Sequence, residues 1–268
     1  MTMFLTATVL ALASLGQSGE ANTIATPGKF TPLFNGKDLS GWYTFLQKYG
    51  KDADPDGVIT IEDGMIRLYQ NATDGKLVVM GYICTDKEFG DYHLRFQYRW
   101  GIKKFEPRYK LKRDAGLYYH ILGPDAIWPR ALQFQVEETN VGDLIALYGF
   151  QVDTTIDPTT SKANPPTFLD TKDGGVARVL GGKGIAYQNH LAGNHETKGW
   201  NSAEIIAKGD TVTHILNGHV INRGEKVRVL QPEGTGTPVP VTKGRIAIEI
   251  EAAEIDFRNV EIRLLDSK

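Results

Sequence analysis

Beyond residue 30, apolar residues recur at every second position in run after run, and Gly, Asn and Asp interrupt the runs. A period of two throws successive side chains to opposite faces, so the pattern predicts β-strands throughout. Tyr92–Trp100 is the clearest run. Tyr92, Leu94, Phe96, Tyr98 and Trp100 point one way, and His93, Arg95, Gln97 and Arg99 the other. Ile59–Leu68 reads as a hairpin turning at Glu62-Asp63-Gly64, and Asn217-Gly218 turns Thr211–Leu216 into His219–Asn222. Gly116–Leu122, Leu132–Glu138 and Ala203–Ala207 are further strands, and Ile246, Ile248 and Ile250 alternate with Ala247, Glu249 and Glu251. In the last strand the apolar phase moves from Ile255 and Phe257 to Val260, Ile262 and Leu264, so a β-bulge is expected at Arg258-Asn259. No stretch has the periodicity of a substantial helix, and Asp153 to Gly184 reads as either a long surface excursion or part of a site wall. Many short strands separated by turn residues predict an all-β sandwich or jelly roll.

Composition adds limits. The chain has 268 residues, 41% hydrophobic and 23% charged, which one β-sandwich domain accommodates. A formal net charge of -2 gives no reason to expect nucleic acid as a partner. The apolar run from Met3 to Leu15 is too short to span a bilayer, and small and polar residues follow it. Residues 1–21 are therefore expected to be a signal peptide and 22–29 a linker. The domain would occupy 30–268, exported to a periplasmic or extracellular location without a membrane span. Cys84 is the sole cysteine, so no disulfide forms within the chain, and its simplest role is that of a small buried hydrophobe.

The strand Leu132–Glu138 carries the most chemistry. Leu132, Phe134 and Val136 share the core face, which leaves Gln133, Gln135 and Glu137 in line on the other. In Gly116–Leu122 the core residues are Leu117, Tyr119 and Ile121, with Tyr118 and His120 facing out. A face of Gln, Gln, Glu, His and Tyr suits a hydroxyl-rich ligand, and a plain solvated sheet face has the same alternation. Three such positions two apart resemble the active strand of retaining glucanases of the lectin-like jelly-roll class. Two of the three are amides here, and double displacement needs two carboxylates. Catalysis on this face would have to rest on Glu137 and His120. Trp128 and Arg130, beside Pro129, and the pair Trp200 and Asn201 are candidate sugar contacts, although Trp128 could equally close the core edge. His214 fits a satisfied core histidine as well as a site residue, and His190 with His195 is weak evidence for a metal.

The run Phe30-Thr31-Pro32-Leu33-Phe34-Asn35-Gly36-Lys37-Asp38-Leu39-Ser40-Gly41-Trp42 resembles the opening of the 3-keto-disaccharide hydrolase family. Asp114-Ala115-Gly116-Leu117 stands where the family has Asn-Ser-Gly or Asp-Ser-Gly. Trp128-Pro129-Arg130-Ala131-Leu132-Gln133-Phe134-Gln135 stands where it has a Trp-Pro element leading to Glu-x-Gln. Gly199-Trp200-Asn201, His214-Ile215-Leu216-Asn217-Gly218 and Phe257-Arg258-Asn259-Val260 complete the series. The departures are Ala115, in place of Ser, and Gln133, in place of Glu.

The resemblance implies a concanavalin A-like lectin/glucanase jelly roll of two antiparallel sheets, and cleavage of glycosides oxidised at C3. A C3 ketone acidifies the C2 hydrogen, so one base can form an enolate and the C1 substituent can leave by elimination, with water adding back afterwards. His120 or Glu137 would be the base, and a divalent metal or an Arg/Lys donor would stabilise the enolate. Tyr118, Trp128, Arg130, Gln133, Gln135, Trp200 and Asn201 would contact a glycoside or oligosaccharide substrate. No organic cofactor is expected, and His120 would be a possible ligand if a metal is used. The Gln133 departure favours, as a second reading, a non-catalytic carbohydrate-binding module.

Overall fold

The computed structural model describes residues 28–266, so the expected signal peptide and most of the expected linker lie outside the described residues. Two antiparallel sheets face each other. One has eight strands, in the order Ile185–Gln188, Leu144–Leu147, Arg130–Glu137, Asp114–Leu122, Arg245–Ile250, Gly81–Thr85, Trp42–Leu46 and Gly50–Lys51. The other has eleven, running from Val176–Gly181 through Phe150–Ile156, His219–Gln231, Thr211–Leu216, Asn201–Lys208, Tyr92–Lys104 and Ala253–Leu264 to the hairpin Met65–Leu68 and Ile59–Glu62. Helical structure among the described residues is limited to 3-10 turns at Pro158–Thr160 and Thr171–Asp173. This is the concanavalin-like jelly-roll sandwich that the alternation and the resemblance predict.

The inner faces carry the residues that the period of two assigns to them. Tyr92, Leu94, Phe96 and Tyr98 meet Leu117, Tyr119, Leu132, Phe134 and Val136 in one core. Phe96 bridges the layers, its ring 5.8 Å from Phe134 and 6.2 Å from Phe257. Each such ring contributes about 2–3 kcal/mol by leaving water. The hairpin turns are as expected, with Asp63 and Gly64 at φ of 52° and 74° and Asn217 and Gly218 at 48° and 82°. The bulge in the last strand is also present, between Arg258 and Glu261.

Several strands carry no alternation. Gly81–Thr85 and Leu144–Leu147 are buried at every position, because covered strands read as continuous apolar runs. The supposed excursion from Asp153 to Gly184 completes one strand and contains another, Val176–Gly181. That strand lies at a sheet edge with Val176 and Val179 exposed, which hides its period.

His120 and His214 lie buried in this sandwich, and burial pushes both imidazoles down to about 4. Between that value and the unfolded value near 6.5, the unfolded chain binds more protons than the folded one, so stability falls as pH falls across this window. Fully buried imidazoles lowered this far cost about 3 kcal/mol each by pH 4. His120→Asn, whose amide tolerates left-handed backbone, is expected to remove about half of that acid loss. Thermal unfolding between pH 7 and pH 4 measures it.

Candidate active site on the outer face of the eight-stranded sheet

Strand pairing builds the site in rows. Tyr118 lies opposite Gln133 and Ala247, Gly116 opposite Gln135, and Asp114 opposite both Glu137 and Glu251. Side chains of one parity therefore gather on the outer face from three adjacent strands. Gly116 leaves the floor open at the centre of this group. A Cβ there would lie 2.5 Å from Gln133 Nε2 and 2.7 Å from Glu249 Oε2, so any larger residue would displace both.

The group is one connected network. Gln133 Nε2 donates to Gln135 Oε1 at 2.7 Å and to Glu249 Oε2 at 2.6 Å, and Gln135 Nε2 donates to Asp114 Oδ1 at 2.8 Å. Tyr118 donates its phenol proton to the other oxygen of Glu249. Arg108, from the loop before the strand, donates to Asp114, lies 2.9 Å from Glu251 and stands 3.6 Å from Glu137. One guanidinium thus faces three carboxylates in a partly desolvated setting, which strengthens each charge-assisted bond. Burial, then the neighbouring carboxylates Glu251 and Asp114, pushes Glu249 well above the usual carboxylate range. Burial and Glu251 raise Asp114 likewise, against the pull of Arg108.

Gln133 and Gln135 are 4% and 7% exposed, so this face is a buried polar floor rather than a solvated surface. Glu137 sits at its margin, with one fifth of its side chain exposed, and accepts from Asn140 Nδ2 at 2.7 Å. Tyr118, Gln133, Gln135 and Glu137 therefore converge as the alternation predicts.

His120 does not join them. It occupies a bulge with φ of 55°, and the register slips between Tyr119 and Leu122. The slip turns its ring inward against Tyr92 and Tyr119, at 6.1 Å and 5.5 Å, and turns Ile121 outward onto the Tyr118 face. Both expectations, His120 on the polar face and Ile121 in the main core, are corrected by that one extra residue. Arg130 is also elsewhere: it donates to the carbonyls of Tyr148 and Leu230 at 2.9 Å and 2.7 Å and ties down loops.

Trp200 stacks on Arg258 and Arg99 of the other sheet, at 3.8 Å and 4.6 Å. Asn201 is buried and accepts from Thr197 N and Asn217 Nδ2 at 2.7 Å and 2.8 Å, a turn-holding role. His214 is a satisfied core histidine bonded to Tyr119 and Gly142. His190 is held by Asp143 and the Gly193 carbonyl, at 2.7 Å and 3.2 Å. Cys84 is buried, as expected, and Ala115 packs in the core.

Trp128 lies in the loop before Arg130–Glu137 and is 39% exposed. Its loop also supplies Asp125, which accepts from Tyr43 and Tyr82 at 2.6 Å and 2.8 Å on the same sheet face.

Asp114, Glu249, Glu251 and Arg108 are the residues that sequence reasoning did not assign. Asp114, Glu249 and Glu251 each place a carboxylate oxygen within 4.8 Å of the others, and all three are buried. An all-oxygen anionic donor set of this kind fits a hard divalent cation such as Ca²⁺, Mg²⁺ or Mn²⁺.

Fold and site together define a lectin- and glucanase-type jelly roll with a buried acid–amide–arginine cluster on one sheet face. Residues 29–263 match the family model described as a 3-keto-alpha-glucoside-1,2-lyase-like domain, and the chain belongs to that family. Membership implies a carbohydrate substrate. Two solved structures from Parabacteroides distasonis ATCC 8503, each described as a candidate glycosyl hydrolase, share the fold. One is 21% identical over 88% of this chain and 94% of its own, with a TM-score of 0.52. The other is 17% identical over 88% and 100%, with a TM-score of 0.51. No curated protein gives a significant match. Among the described residues no helix is long and apolar enough to cross a membrane.

Proposed function

We propose that the protein cleaves a glycoside oxidised at C3 by deprotonating C2 and eliminating the C1 substituent. The observation that carries this reading is Arg108, fixed between Asp114 and Glu251 and 3.6 Å from Glu137. A held cation beside a marginal carboxylate is the pairing that enolate chemistry needs. Glu137 takes the C2 proton, and the electron pair moves into a C2–C3 enolate whose oxygen faces Arg108. Collapse of the enolate restores the C3 ketone, forms the C1–C2 double bond and breaks the C1–O bond. The Glu137 carboxyl returns its proton to the departing oxygen, and addition of water to the alkene completes a net hydrolysis. Tyr118, Gln133 and Gln135 orient the carboxylates, and Trp128 offers an apolar face to a sugar ring. Asp114, Glu249 and Glu251 would hold a divalent cation, which would polarise the C3 carbonyl.

The test compares a 3-keto-glucoside bearing a chromogenic leaving group with the unoxidised glucoside. Release from the first alone is expected. Release from neither, with sugar binding retained, would instead make the protein a carbohydrate-binding module, the reading that an amide at Gln133 favours.

The cation reading has its own check. After dialysis against a chelator, adding Ca²⁺ or Mn²⁺ at about 100 times its Kd raises stability by about 2.7 kcal/mol, read as a higher Tm. In Glu249→Gln the rise disappears. The Met3–Leu15 run supports export, which N-terminal sequencing of the secreted protein tests.

A further inference from the structure

The outer face of the eleven-stranded sheet holds a cavity of about 690 Å³, within the size range of small-molecule sites and lined by none of the acidic-cluster residues. Its floor comes from neighbouring strands: Ala177 and Val179 from the edge strand, Asp153 and Thr155 opposite them, and Thr213 and Arg223 beyond. Two register slips flank it. One lies between Gln151 and Asp153 against His219–Gln231, the other between His214 and Ile215 against the same strand. Bulges sharpen local twist and re-aim side chains, and they frequent binding sites. The 3-10 turn Thr171–Asp173 walls one side, and Asp170 beside it pairs with Arg223 at 3.3 Å.

The lining has two chemical strips side by side. Val179, 53% exposed, and Ala177 form an apolar strip, and in the ladder they lie directly opposite Asp153 and Thr155. Charge is balanced, with Asp153, Asp170 and Glu225 against Arg178, Arg223 and Lys226. The main ions are already committed: Asp153 lies 3.1 Å from Lys226 and 2.7 Å from Arg228. With three charges of each sign the lining carries no net charge to favour an anion or a cation. Threonine hydroxyls and carboxylate–guanidinium pairs do offer donors and acceptors to hydroxyl groups, and the apolar strip accepts the C–H face of a sugar ring.

We infer that this cavity is a second carbohydrate site, binding neutral, unoxidised oligosaccharide and holding a glycan on the face opposite the acidic cluster. This inference is independent of the elimination chemistry.

The test is calorimetric titration of the whole protein with cellotetraose, laminaritetraose, maltotetraose and, as a charged comparison, tetragalacturonate. Arg223→Ala and Val179→Asp are measured beside Glu249→Gln. At least one neutral tetrasaccharide is expected to bind, with Kd rising about tenfold or more in either cavity variant and unchanged in Glu249→Gln. Both cavity variants change exposed side chains, so an unchanged Tm confirms that they remain folded, and cleavage of a 3-keto-glucoside should match the parent protein. The inference is overturned if no neutral tetrasaccharide binds, if only tetragalacturonate binds, or if binding survives both cavity variants, whatever Glu249→Gln does.

Discussion

Replacing Arg108 by alanine is expected to lower both activity and stability more than any other single change at the site. Its guanidinium is the cation nearest to Asp114, Glu251 and Glu137, and Asp114 and Glu251 are buried. Removing one partner from a buried ion pair typically costs about 3 kcal/mol because the remaining charge has no compensation. For a domain of this size that is a fall in Tm of roughly 6–12 °C. Loss of Arg108 removes a charge that pulls the Asp114 carboxyl down, so Asp114→Asn placed on top of Arg108→Ala should recover part of the lost stability. Activity does not recover, because loss of an enolate-facing donor costs about 100-fold or more in kcat. Differential scanning calorimetry and steady-state kinetics on the single and double variants separate the two effects. A full recovery of kcat by Asp114→Asn would show that Arg108 acts only through folding.

The second large effect belongs to Glu137→Gln. This side chain stands at the margin of the network with one fifth of its surface exposed, so its loss should leave Tm nearly unchanged. As the proposed base for the C2 proton, it is expected to contribute on the order of 100- to 10,000-fold to kcat. KM should be little altered, since the amide retains the shape and the hydrogen-bonding reach of the acid. An unchanged kcat would move the base to Glu251, which shares the Arg108 guanidinium at 2.9 Å. His120→Asn should leave kcat at the parent value, because its ring packs against Tyr92 inside the sandwich.

The fold was largely legible because a period of two survives wherever one strand face is wet. It failed at Gly81–Thr85 and Leu144–Leu147, where both faces are covered and selection for alternation is absent. The site was legible in part. Gln133, Gln135 and Glu137 share a strand, so local spacing places them together. Glu249 and Glu251 also show as the alternating partners of Ile248 and Ile250, but nothing local says that their strand lies beside Asp114–Leu122. Tyr118 and Glu249 are 131 residues apart in sequence, and only strand pairing brings them into contact. Arg108 comes from a loop without periodicity and carries no signal at all.

His120 shows the opposite failure. Its spacing from Tyr118 predicts the outer face, and one left-handed residue at the bulge reverses it. Glycine is the usual occupant of such a conformation, so a histidine there gave no warning. Trp200 and Asn201 are motif residues whose position, on the other sheet, assigns them to Arg stacking and turn closure instead.

The proposed elimination requires a base on the outer face of the eight-stranded sheet to remove the C2 hydrogen. Its most direct test follows a 3-keto-glucoside carrying deuterium at C2, in water, by NMR and by leaving-group release. The deuterated substrate is expected to release its leaving group more slowly than the protiated one, and Glu137→Gln to abolish both release and loss of the label. Leaving-group release at equal rates for the two substrates, with deuterium retained at C2 in the product, would contradict it.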